Sequence, residues 1–193
     1  HDLVPSYATA IGVSGDNPAA LAELVGIIVN PGMRYPTVRI GTLHFARGTP
    51  YETLLERDGA SGERVMHAAV AAALKNALAD VVAEGTARRV RETYVGAGGL
   101  PLAIGGKTGT GDTRHDVFGE GGAIVASRSV SRTATFAFFL GERHFGVVTA
   151  YVPAPYAQHY RFTSALPVQI VANLAPQLQP LLHDSADGSG CGH

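Results

Sequence analysis

The sequence predicts an α+β fold, an antiparallel sheet with helices packed on its faces. Three observations carry this expectation. An alanine-rich run over residues 63–84 has the length and spacing of a long helix. Three strand-like runs, 122–127, 133–140 and 145–152, follow each other closely, and the last two are joined by Gly141-Glu142-Arg143-His144 as a hairpin turn. At 193 residues and 46% hydrophobic, the chain can bury one sizeable core, which suits one domain or a large part of one.

The elements follow in order. Asn17 caps a first helix and Pro18 fits its first turn, where a missing N–H costs nothing. Residues 19–29 are apolar on nearly every side, which predicts deep burial, and Asn30-Pro31-Gly32 ends the helix. Residues 37–46 alternate as a strand with Val38, Ile40 and Leu43 apolar, and 48–62 reads as a polar loop. Ser61 is the expected cap of the long helix 63–84, with Glu63 in its first turn. Val65, Ala69, Ala72, Leu78, Val81 and Val82 form its expected buried stripe, and Gly85 its left-handed stop. Residues 86–90 read as a short second helix or turn. Leu100-Pro101-Leu102-Ala103-Ile104 reads as a buried strand leading into 102–110, which joins the three later strands in an antiparallel meander. A final helix, 164–182, places Leu166, Ile170, Val171, Leu174 and Leu178 on one side, kinked or shortened by Pro176 and Pro180. The Ser-, Gly- and Asp-rich residues 184–193 read as a mobile tail.

Net charge is −1 and charged residues are 16%, which excludes recruitment of nucleic acid by bulk charge. Arg64, Arg88, Arg89 and Arg91 cluster as a solvated helix face would. No apolar run approaches the roughly 18 residues that span a bilayer. Cys191 is the only cysteine, so no internal disulfide is expected. His183, Cys191 and His193 lack the paired spacing of a zinc site, so no metal or other cofactor is expected. His115 reads as a surface loop histidine, and Ser127, Ser129 and Ser131 as an exposed strand face.

The most informative stretch is Gly105-Gly106-Lys107-Thr108-Gly109-Thr110-Gly111-Asp112. Lys107 is one of only two lysines in the chain. On a regular strand Lys107 and Gly109 share one face, Thr108 and Thr110 the other, and a bulged edge would bring them toward one cleft. Gly109 lets a substrate backbone approach. A lysine supplies charge beside a carboxylate and can relay a proton to a serine. Threonine hydroxyls and an exposed N–H suit a carboxylate and an oxyanion. A phosphate-binding loop fails twice: its first glycine would be Pro101, and the glycines after Thr108 form helix poorly.

A strand feeding Lys107-Thr108-Gly109-Thr110 resembles the lysine strand of penicillin-recognising active-site-serine enzymes. Gly85-Thr86-Ala87 after the long helix, the apolar helix ending at Gly32, and the order strand, hairpin, terminal helix add to the likeness. The resemblance, over about residues 11–182, is to the C-terminal part of a class A-like penicillin-binding protein transpeptidase domain, which assigns residues 1–183 to that part and 184–193 to the tail. The resemblance implies a five-stranded sheet between helices and a serine acyl transfer that cross-links peptidoglycan stem peptides and is blocked by β-lactams. It implies that Lys107 contacts a serine of a Ser-x-Asn motif and favours the substrate carboxylate. Thr108 and Thr110 would bind that carboxylate beside Gly109, and the Thr110 N–H would form half an oxyanion hole. It also implies a periplasmic or outer-face location and a membrane-anchored parent protein. The chain has no Ser-x-x-Lys, since Ala72 and Ile104 stand three before Lys75 and Lys107. It has no Ser-x-Asn either, Ser14-Gly15-Asp16 coming nearest. The nucleophile is therefore expected in an upstream segment outside this sequence, and this chain alone is expected to be inactive. An inactive penicillin-binding-like scaffold is the alternative, and within the enzyme branch a D,D-carboxypeptidase or β-lactamase.

Overall fold

The computed structural model describes residue 7 and residues 17–56, 61–96 and 99–184. The chain runs through helix α1 (Pro18–Val29) and four short strands, β1 (Met33–Arg34), β2 (Thr42–Phe45), β3 (Thr53–Glu56) and β4 (Glu63–Arg64). Then come helix α2 (Ala68–Ala83), strands β5 (Ile104–Phe118), β6 (Ile124–Leu140) and β7 (His144–Pro153), and helices α3 (Ala165–Asn173) and α4 (Ala175–Asp184). Two small antiparallel pairs, β1–β4 and β2–β3, stand apart from a three-stranded antiparallel sheet ordered β5-β6-β7.

The meander forms as the sequence predicts, but its strands are longer. Runs 122–127 and 133–140 are one strand, β6, paired with β5 from Ile104↔Leu140 to Phe118↔Ile124. Serines and arginines at 127–132 hide this continuity from an apolar count; the partner strand satisfies their backbone groups regardless of side-chain polarity. Gly141 makes the β6–β7 turn at φ 65°, a conformation that suits glycine.

The lower half of the sheet is covered on both faces. On one face Phe136, Phe138 and Leu140 of β6 pack with Ile104, Val82, Ala87, Val90, Tyr94, Val168 and Val171. Tyr94 is fully buried, and its hydroxyl donates to the Val171 carbonyl at 2.6 Å. Burial pushes the Tyr94 phenol above its ordinary range. On the other face Phe139 meets Val25 and Val29 of α1, with Leu78 and Ala137 beside them. Burying side chains such as Phe136 and Phe139 contributes about 1.5–3 kcal/mol each.

Several sequence expectations need correction. Asn17 does cap α1, its side chain accepting from the Ala19 N–H at 2.8 Å. The helix is not buried all round, however: Val25, Gly26, Ile28 and Val29 are buried while Leu24 is 46% exposed. The strand expected over 37–46 is confined to Thr42–Phe45, and part of the expected polar loop, Thr53–Glu56, pairs with it as a hairpin. The long helix does not begin at Glu63. Glu63–Arg64 pairs with Met33–Arg34, the helix starts at Ala68, and His67 rather than Ser61 caps it. Gly32, at φ 82°, allows this docking, because a Cβ there would lie 2.0 Å from the Met66 carbonyl oxygen. The buried positions of α2 are Ala71 and Val82, with Leu78 and Val81 half-buried, while Val65, Ala69 and Ala72 are exposed. Gly85 is not in the left-handed region; a Cβ there would crowd the Val81 carbonyl at 2.8 Å. The strand after Leu100 starts only at Ile104, and Leu100 is exposed. The final helix is two helices broken at Leu174, with Pro176 in the first turn of the second, and it buries Pro167, Val168 and Val171. The tail after Asp184 lies outside the described residues.

Candidate functional site

Lys107, Thr108, Gly109 and Thr110 lie in line on β5, paired without interruption to Ala137, Phe136, Thr135 and Ala134. The outer side of β5 carries no further strand among the described residues, so the four stand on a sheet edge. The irregularities of pairing fall later, between Thr113/Arg114 and Val117/Phe118. Regular alternation therefore holds through the motif, and its two faces differ.

Thr108 turns inward and is only 7% exposed. Its hydroxyl meets that of Thr86 at 2.6 Å. Thr86 sits in the turn after α2, beside the fully buried Ala87, so the Gly85-Thr86-Ala87 stretch braces the motif from behind. Thr110, on the same face, accepts from the Ser164 N–H at 3.0 Å, tying β5 to the start of α3. Both threonine hydroxyls thus have partners within the chain. The sequence marked Thr86 only as part of a supporting stretch; its spacing gave no sign that it touches Thr108.

The other face is open. Lys107 is exposed, and its ammonium donates to the Thr108 carbonyl at 2.7 Å. Among the described residues no carboxylate pairs with it, whereas Lys75 pairs with Glu142 and lies over the Phe139 ring at 5.6 Å. A Cβ on Gly109 would meet nothing within 4 Å. One face of the motif is thus locked to the core, and the other presents a cation beside bare backbone.

Beyond Thr110 the strand becomes charged. Asp112 accepts from the Ser129 hydroxyl and from Arg114 at 3.0 Å, and these bonds, with the Arg114 and Arg132 charges, hold its carboxyl below the usual range. His115 is exposed as expected but belongs to β5, opposite Arg128. Ser127 is exposed as expected, but Ser129 and Ser131 are half-buried; Ser127 and Ser129 donate their hydroxyls to Asp116 and Asp112. Among the described residues no group of His, Cys, Asp and Glu is placed to hold a metal, and no helix is long and apolar enough to cross a membrane. Cys191, His193 and the Ser14-Gly15-Asp16 stretch lie outside the described residues.

No protein family and no curated protein matches the sequence. Solved structures do. Penicillin-binding protein 3 from Mycobacterium tuberculosis, in its apo form, superposes with a TM-score of 0.54 at 20% identity, over 84% of this chain and 34% of that one. Penicillin-binding protein A from the same organism, solved as a ceftriaxone acyl-enzyme complex, gives 0.52 at 20% identity, over 82% of this chain and 32% of that one. The penicillin-binding protein 3 complex with aztreonam gives 0.52 at 21% identity, over 84% and 34%. The fold is that of part of a penicillin-binding transpeptidase domain. This chain spans about a third of the length of those chains. Of the five strands the resemblance implied, the main sheet supplies three among the described residues.

Proposed function

We propose that this chain is one wall of a D,D-transpeptidase site, which cross-links peptidoglycan stem peptides by serine acyl transfer and is acylated by β-lactams. The observation that carries the reading is the asymmetry of the motif strand in a penicillin-binding fold. Lys107 and Gly109 face outward on a sheet edge, while Thr108 is locked to Thr86 behind. The attacking serine comes from residues outside this sequence, since no Ser-x-x-Lys occurs in it. Lys107 then sits where it can hold a substrate carboxylate and share a proton with a serine hydroxyl from that segment. Gly109 lets the peptide backbone lie flat on β5. The backbone N–H of Thr110 supplies half of an oxyanion hole, while its hydroxyl, which accepts from the Ser164 N–H behind, holds that backbone in place for the carboxylate. With its hydroxyl engaged by Thr86, Thr108 serves the carboxylate through the backbone it holds in place. The site works on the periplasmic or outer face of the membrane, where its substrate is, in a membrane-anchored parent protein.

Fluorescent penicillin applied to the full-length protein is the test. A covalent label that is lost when the upstream serine is replaced supports the reading. A folded protein that carries both upstream motifs and takes no label sinks it, and leaves a non-catalytic penicillin-binding-like scaffold.

A further inference from the structure

Past Thr110, a cavity of about 240 Å³ opens between the β5–β6 pair and the 3₁₀ turn Tyr156–His159 with the segment after it. Its charge is unbalanced. Arg114, Arg128, Arg132 and Arg161 line it against one carboxylate, Asp112. The pairing irregularity explains the crowding. Asp112 opposes Arg132 and Arg114 opposes Ser129, so β6 carries one extra residue, Val130, between them. That bulge brings Ser129 and Ser127 to the face that Arg132 occupies, where both bond to β5 side chains.

Asp112 cannot neutralise the cluster. It already takes the Ser129 hydroxyl and Arg114, and lies 3.8 Å from the nearest Arg132 nitrogen. Arg132 gives Nη1 to the Tyr160 carbonyl at 3.1 Å, and its Nε–H is buried with no acceptor among the described residues. A buried donor left unpaired is costly and calls for an acceptor. No ion pair engages Arg128 or Arg161 among the described residues. The remaining carboxylate nearby, Asp116, takes the Ser127 hydroxyl and does not line the cavity.

We infer that this cavity is a binding site for an anionic group, a carboxylate or a phosphate, held by Arg132 and Arg161 with Arg128 at the rim. Planar guanidinium forks suit both oxyanions. The site stands on the face of β5 opposite Lys107 and does not depend on acyl transfer.

The test uses full-length protein labelled with ¹⁵N-arginine, titrated with glutarate and separately with inorganic phosphate at constant ionic strength. The expected result is a saturable shift of arginine Nε–H signals, with affinity about tenfold weaker in both Arg161→Gln and Arg132→Gln. Tighter binding of glutarate assigns a carboxylate ligand, and tighter binding of phosphate a phosphoryl one. No saturable shift with either anion overturns the inference. So does an equal response to chloride, or unchanged affinity in Arg161→Gln, a surface variant that leaves the core intact. Penicillin labelling of the same preparation reads the acyl-transfer proposal independently, so each can fail alone.

Discussion

The two faces of β5 share one backbone and differ in everything around it. Behind, Thr108 meets Thr86, Thr110 holds the start of α3, and Phe136 and Phe138 pack against Val90, Tyr94, Val168 and Val171. In front, Gly109 has open space and Lys107 is exposed, while the lower end of that face is covered where Phe139 meets α1 and Leu78. The acyl-transfer edge proposed above would have to be rigid to hold its groups in register and bare to admit a substrate. Alternation lets one strand do both, because successive side chains serve opposite faces.

Each variant below separates the faces in a different way. Phe136→Ala strikes the rear. Removing a fully buried ring should cost about 3–5 kcal/mol in chemical denaturation, and a cost under about 1 kcal/mol would mean the rear core does not hold the strand. Lys107→Ala strikes the front. In the full-length protein, penicillin acylation should fall on the order of a hundredfold or more, with the circular dichroism melt unchanged; equal acylation rates would remove Lys107 from the chemistry. Gly109→Ala sharpens the contrast. Open space at the new Cβ predicts a stability change within about 0.5 kcal/mol, while acylation drops about tenfold or more because a substrate backbone can no longer lie close. A large loss of stability there would show that the front is not open.

Thr108→Val and Thr86→Val test the lock. Each should cost about 1 kcal/mol, and their double-mutant cycle should show coupling of similar size; additive costs would mean that the hydroxyls do not interact. The smallest effect concerns pH. The Asp112 carboxyl is depressed, so the contribution of its bonds to Ser129 and Arg114 is present above the ordinary aspartate pKa of about 3.9 and is lost as pH falls through the lower folded value. Below about pH 4, NMR signals of Ser129 and Arg114 should move while those of Tyr94 and Val171 stay fixed. Movement of both sets together would tie the charged end to the core.

Much of this was legible in the residues. Alternating Phe136, Phe138 and Leu140 with the short turn at Gly141 announced the meander, and Asn17-Pro18 announced the start of α1. The four motif residues fell on one strand as expected. The start of α2 was not legible, because Glu63–Arg64 has good helix formers that β1 recruits into a strand pair, and tertiary pairing overrides a weak local preference. Burial along α1 and α2 was overestimated for a related reason. An apolar pattern says which residues can be buried, while the neighbours present decide which ones are.

The sequence alone determined the succession of first helix, long helix, meander and terminal helical segment, the place of Lys107-Thr108-Gly109-Thr110 on a strand, and the lack of a Ser-x-x-Lys. These are local properties: side-chain type, spacing and turn chemistry. Only the tertiary structure decided which face of that strand is locked and which is open. The Thr86–Thr108 contact joins residues 22 apart, and the Thr110–Ser164 contact residues 54 apart. Contacts at such separations depend on how helices and sheet close around one core, and no window of the chain contains them.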